Sequence, residues 1–319
     1  EALATESQAN DVQILLGPGI NMKRSPLGGR NFEYFSEDPV LSGKIAAAFI
    51  NGVQSKGVGT SLKHFAANNQ EFERMSNSSV VDERTLSEIY FPAFEIAVKE
   101  AQPWTVMCSY NKLNGVYASE NEYLLTDILK KKWGFQGFVV SDWGAVNDRP
   151  LGVAAGLNLE MPASGGFNNK KIVDAVKKGT LSESKLDEIV IETLAITLKA
   201  KDSHQQGIVV DKAKHHTLAR EASGESIVLL KNSNSILPLK ASAKKVAIIG
   251  AFAKKPRYQG AGSSQVKPTQ VENALDELQK LAKGTTFSYA EGYTSAGDTN
   301  ATLLNEAVKN AKGAETVLL

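Results

Sequence analysis

The sequence predicts an α/β protein: a (β/α)8-like, TIM-type barrel incomplete at its N-terminal side, followed by the start of a second α/β unit. Three observations predict this. Short apolar runs alternate with amphipathic segments from residue 12 to about residue 162. The runs are apolar at nearly every position, as strands buried on both faces of a parallel sheet must be. Polar residues able to do chemistry follow the runs directly, where a barrel of this type carries its site.

The strand-like runs cover 12–16, 59–62, 105–108, 138–140 and 157–161. Between them, 41–54, 83–99 and 120–132 carry apolar residues at spacings of three and four, such as Ile45, Phe49 and Val53. Alternation of this kind predicts a parallel sheet with helical crossovers. An eight-stranded barrel would place up to three further strands before residue 1. Helices over 169–178 and 182–200 finish the first unit. Ser182 is a cap-like residue ahead of an acidic first turn. The barrel portion is therefore assigned to 1–200, a polar linker to 201–211 and the second unit to 212–319. There a helix over 212–230 precedes strand 246–250, a loop through Ser264, helix 271–283, strand 285–289, helix 301–311 and strand 316–319. Both ends read as cut within a domain.

Composition narrows the function. Of 319 residues, 42% are hydrophobic and 22% charged, with a net charge of +1. No strong field draws nucleic acid or an acidic membrane surface, and no stretch is apolar for long enough to span a bilayer. The one cysteine, Cys108, lies in an apolar run. It is read as a buried thiol, and it rules out an internal disulfide and a Cys-rich zinc site. A single cysteine fits the cytoplasm and equally the periplasm. His215 and His216 are adjacent, so on a helix they face different ways and make a poor metal pair. No metal or cofactor is expected. The stretch 246–264 puts glycines after a strand but lacks the G-x-G-x-x-G spacing of a dinucleotide site.

Four strand-end or loop segments carry the candidate chemistry. In Phe138-Val139-Val140-Ser141-Asp142-Trp143-Gly144, a carboxylate sits just past a buried strand beside an indole. A carboxylate so placed can attack an anomeric carbon, and an indole offers a flat apolar face to a sugar ring. Capping of a following helix is the structural alternative for Asp142. Lys63 and His64 end the second run and supply donors suited to sugar hydroxyls. An ion pair and a satisfied core histidine are their alternatives. Arg74 follows in Glu71-Phe72-Glu73-Arg74, as a hydroxyl donor or the partner of a local Glu. The Gly28-Gly29-Arg30 loop can aim a guanidinium into the site. Met107-Cys108-Ser109-Tyr110-Asn111 offers a phenol near the carboxylate.

The segments GRNFEYFSEDP, KHFAANNQEFER, TVMCSYNKLNG and GFVVSDWGA, in that order, resemble the signature blocks of glycoside hydrolase family 3. The resemblance implies a (β/α)8-like barrel followed by an α/β sandwich. It implies Asp142 as the nucleophile of a retaining mechanism. Arg30, Lys63, His64 and Arg74 match residues that bind the sugar on the non-reducing side of the cleaved bond. Met107, Tyr110 and Trp143 match residues lining that subsite. In Gly260-Ala261-Gly262-Ser263-Ser264, Ser263 matches a contact from the second domain. The general acid/base Glu of the glucosidase-type members would lie after a strand like 316–319. A sugar-binding Asp of the family would lie before residue 1. Glu225 and Glu291 read as surface residues. AANNQEFER lacks the His that the N-acetylglucosaminidase branch carries there, and Asn158 stands where the family pattern has Asp.

The resemblance therefore implies hydrolysis of terminal non-reducing β-D-glucosyl residues from β-glucosides or cello-oligosaccharides. β-Xylosidase or α-L-arabinofuranosidase activity is the runner-up, and a barrel using Lys63 as a Schiff-base residue is the rival from another class. The expected partner is a β-glucoside or oligosaccharide substrate, with a second copy or the remainder of the same polypeptide as protein partners.

Overall fold

The computed structural model describes residues 1–239 and 243–319. It divides into two compact units, Glu1–Ala219 and Arg220–Leu319. The first is built on four parallel strands in the order Ile14–Leu15, Gly59–Phe65, Thr105–Cys108, Phe138–Ser141. Neighbours in the sheet are consecutive among these four, and helical segments connect them, which is the repeating unit of a (β/α)8-type barrel.

The apolar runs form strands because their alternate residues are buried on opposite faces. Val106, Cys108 and Val139 join Leu62 and Phe65 in one core. Met107, Phe138 and Val140 join Trp104, Ile196 and Ala200 in another. Phe65 anchors the first core, with ring centroids 6.2 Å from Phe91, 5.1 Å from Phe94 and 5.5 Å from Trp133. Truncating a buried ring of this kind to alanine typically costs about 3–5 kcal/mol. The Trp104 indole lies so close to the start of the Gly59–Phe65 strand that a Cβ at Gly59 would meet it at 2.4 Å.

Several elements differ from the sequence-based expectation. The 83–99 helix is broken into Glu83–Thr85, a widened turn Leu86–Tyr90, and Pro92–Ala101. Pro92 has no N–H to continue the ladder, and the turn before it widens so that the Phe91 N–H reaches the Leu86 carbonyl at 2.8 Å. The 157–161 run is not a strand; only Leu159 bridges to Val140. The Asn158 side chain takes the Val139 N–H that a ladder would use, at 2.9 Å. The 12–16 strand shrinks to Ile14–Leu15. The helix opening the 212–319 region stops at Ser226. Ile227, Val228, Leu229 and Leu230 are exposed, and four consecutive apolar residues cannot share one helix face. The Glu183–Ser203 helix, capped by the Ser182 hydroxyl, runs into the polar 201–206 stretch. Gln8 then holds that stretch through the Ser203 carbonyl (3.1 Å) and the Gln205 N–H (3.0 Å).

The second unit carries a parallel sheet in the order Thr316–Leu318, Lys245–Ile249, Thr286–Ala290, with helices Ala274–Leu281 and Ala301–Lys312. Its core centres on Val246, Ile248 and Leu275. Among the described residues no helix is long and apolar enough to cross a membrane.

The structure gives Asn158 a reason to be an amide. Its Nδ2 donates to the Ile189 carbonyl (3.1 Å) and to Oε2 of Glu192 (2.7 Å), whose carboxylate also pairs with Lys130 at 2.6 Å. An aspartate would lose both donated bonds and set a second carboxylate against Glu192. We expect Asn158→Asp to destabilise the fold by about 2–4 kcal/mol, read from the midpoint of urea unfolding.

Candidate active site

Asp142 stands at the carboxyl end of Phe138–Ser141, and its position is fixed by the backbone. Its N–H donates to the Cys108 carbonyl (3.2 Å), and its own carbonyl accepts the Ala145 N–H (3.0 Å). The residue is 8% exposed. Oδ1 accepts the Trp143 N–H at 2.7 Å, whereas Oδ2 has no hydrogen-bond partner. The Nε2 of His64 lies 3.6 Å from Oδ2.

His64 is 1% exposed and clamped at its backbone by Asn21. The Asn21 amide donates to the His64 carbonyl and accepts its N–H, both at 2.9 Å. Nδ1 faces the Tyr34 hydroxyl at 3.1 Å. Burial, then the charges of Arg30, Lys63 and Arg74, push the imidazole pKa well below its ordinary value. The ring is neutral at pH 7, so it is a hydrogen-bonding group and not a third cation beside Arg30 and Lys63.

Lys63 and Arg30 share Glu33. The Lys63 ammonium is 3.9 Å from Oε2 of Glu33, and the Arg30 Nε bonds to Oε1. Burial lowers the Lys63 pKa, while the charges of Glu33 and Asp142 favour the ammonium. Arg74 pairs with Glu71 at 2.7 Å, and its guanidinium lies 4.6 Å above the Tyr110 ring centre. The Tyr110 hydroxyl donates to the Trp143 carbonyl at 3.0 Å. Burial, reinforced by the Asp142 charge, pushes that phenol up to about 12, so it remains a donor at neutral pH. Trp143 is 40% exposed.

The first unit thus brings Arg30, Lys63, His64, Arg74, Tyr110 and Trp143 into one linked set of contacts around Asp142. Met107 is buried in the core beneath it, packed with Phe138, Val140 and Ile196. Ser263 lies exposed in the Gly262–Ser264 turn of the second unit. Glu225 and Glu291 are exposed, and Cys108 is a buried thiol.

The local Glu that the sequence offered Arg74 is Glu71. Sequence reasoning missed the other groups that hold this set in place, although Glu33 stands three residues from Arg30, a spacing that could have flagged the pair. Asn21 and Tyr34 reach His64 across 43 and 30 residues, and no local pattern announces such contacts.

The arrangement offers one dry carboxylate oxygen, charged and neutral donors around it, and an exposed indole face. The family comparison agrees with that chemistry. Residues 1–195 match the Glycosyl hydrolase family 3 N terminal domain, and residues 227–319 match the Glycosyl hydrolase family 3 C-terminal domain. The chain belongs to glycosyl hydrolase family 3. All of it aligns at 56% identity with thermostable beta-glucosidase B of Acetivibrio thermocellus, covering 42% of that protein. All of it aligns at 47% identity with an exo-alpha-(1->6)-L-arabinopyranosidase of Bifidobacterium longum, covering 43%. The crystal structure of a family 3 beta-glucosidase from Bifidobacterium adolescentis superposes with a TM-score of 0.92 at 48% identity, over 99% of this chain and 46% of that one. This family 3 chain therefore spans less than half the length of these relatives.

Two outcomes follow from the electrostatics. Because His64 resists protonation only when folded, the unfolded chain takes up a proton below about pH 6.5 that the folded chain refuses. Stability falls as pH drops through that value, by up to about 1.4 kcal/mol per pH unit from this residue. Urea unfolding between about pH 7 and pH 5 should show a shallower fall in His64→Gln. In Glu33→Gln, Lys63 loses the charge that most favours its ammonium. Its titration, followed by NMR of the Lys63 side chain, should move to lower pH than in the unsubstituted protein.

Proposed function

We propose that this chain carries the nucleophile and sugar-binding half of a retaining glycosidase acting on terminal non-reducing β-D-glucosyl residues. The observation that carries the reading is Oδ2 of Asp142: buried, without a hydrogen bond, and 3.6 Å from a neutral imidazole. A carboxylate oxygen in that state is free to bond to carbon. Attack on the anomeric carbon gives a glycosyl-enzyme as the leaving oxygen takes a proton. Water then hydrolyses that intermediate, with the same acid group acting as base. The family resemblance assigns the acid/base to a Glu after a strand like 316–319, so activity is a property of the polypeptide that carries this chain.

Each neighbouring group has a part in this reading. Lys63 and Arg30, fixed against Glu33, present donors to the sugar hydroxyls. Arg74, held by Glu71 over Tyr110, adds another. The exposed Trp143 face stacks on the ring. The beta-glucosidase relative at 56% identity favours glucose. The arabinopyranosidase relative at 47% favours a second reading, an α-L-arabinopyranoside, a pyranose without the exocyclic carbon and with its 4-hydroxyl axial where that of glucose is equatorial. Against the Schiff-base alternative stands the Glu33 carboxylate 3.9 Å from the Lys63 ammonium, which opposes the effect of burial and favours the charged form, the form that does not attack a carbonyl.

Nitrophenyl glycosides of glucose, xylose and arabinose, tested on the polypeptide that carries this chain, decide the sugar. Glucoside turnover should dominate, and Asp142→Asn should lower it by about 10³-fold or more. A fluorinated glucoside inactivator should label Asp142. Undiminished glucosidase activity in Asp142→Asn, or borohydride trapping of substrate on Lys63, would sink the assignment.

A further inference from the structure

The neutral His64 ring carries one proton, and its effect on Asp142 depends on which nitrogen holds it. With the proton on Nε2, the ring aims a donor at the unpartnered Oδ2. With the proton on Nδ1, an imidazole lone pair faces the carboxylate across 3.6 Å. The environment of Nδ1 decides between them. Two groups face it: the Tyr34 hydroxyl at 3.1 Å and Oδ1 of Asn21 at 3.4 Å. The Asn21 oxygen already accepts the His64 backbone N–H at 2.9 Å. Tyr34 is 6% exposed, and among the described residues its hydroxyl has no other hydrogen-bond partner. A buried hydroxyl must place its proton on an acceptor, and here that acceptor is Nδ1.

We propose that Tyr34 is a positioning residue: by donating to Nδ1 of His64, it holds the imidazole proton on Nε2, facing the free oxygen of Asp142. The proposal rests on the reading of Asp142 as the reacting carboxylate. The Tyr34 ring meets the His64 ring edge-on, with centroids 6.1 Å apart and planes at 68°, so packing and hydrogen bond fix one orientation together. Burial and the neighbouring carboxylates hold the phenol in its protonated form. The outcome is a donor beside the carboxylate that adds no second buried charge. It can serve Oδ2 or a sugar hydroxyl lying between the two groups.

The test reads the tautomer directly, by two-bond ¹H–¹⁵N correlation spectra of ring-labelled histidine in the polypeptide that carries this chain. The His64 signals are assigned by their loss in His64→Gln. The expected spectrum at neutral pH has a pyrrole-type Nε2 and a pyridine-type Nδ1. In Tyr34→Phe, which keeps the ring and removes only the hydroxyl, Nδ1–H should grow in as Asn21 becomes the remaining partner. kcat/KM on a nitrophenyl glucoside should fall by about tenfold, the usual worth of one such bond. A pyridine-type Nε2 in the unsubstituted protein overturns the proposal, even where the variant does not fold. So does a tautomer ratio unchanged in folded Tyr34→Phe. Failure of the Asp142 assignment would show separately, as activity retained in Asp142→Asn, on which the imidazole spectrum does not depend.

Discussion

A carboxylate oxygen held out of water, with no hydrogen bond of its own, is the demand that the first unit is arranged to meet. Left alone, such a group would be costly to bury. Here the backbone pins Asp142 from both sides, through Cys108 and Ala145, while Trp143 satisfies one oxygen. The other oxygen is left open, and its charge interacts favourably with Lys63. On the proposed reading of Asp142 as the nucleophile, the oxygen is available for reaction because no hydrogen-bond donor of the protein takes it.

The surrounding charges are arranged so that this demand does not spread. Arg30 and Lys63 share Glu33, and Arg74 has Glu71. Each cation has an acidic partner, which holds its long side chain in one place and offsets part of its own burial. His64 escapes the problem by staying neutral. The result is a field around Asp142 built from anchored groups, which under the proposed function is the preorganised arrangement that makes a site effective.

The scaffold repeats the same economy below the site. Arg149 is buried and donates to the Leu157 and Asn158 carbonyls at 3.0 and 2.7 Å. Asn158 ties the same segment to Val139, Ile189 and Glu192. Side chains thus do what ladder hydrogen bonds would have done in a fifth strand, and they set the return of the chain past Ser141, whose hydroxyl accepts the Met161 N–H at 2.9 Å.

Local patterns in the sequence determined the parallel strands, the crossover helices, and the strand ends on which Lys63, His64, Tyr110 and Asp142 sit, because alternation and burial are written residue by residue. Four ordered blocks carried the family. What local pattern could not supply was pairing at a distance. That Asn158 would tie its segment to Ile189, that Glu33 would also serve Lys63, and that Asn21 and Tyr34 would close on His64 were decided only when the chain folded. Hydrogen bonds and charges act over a few ångströms in space, and the two residues of each of these pairs lie far apart along the chain.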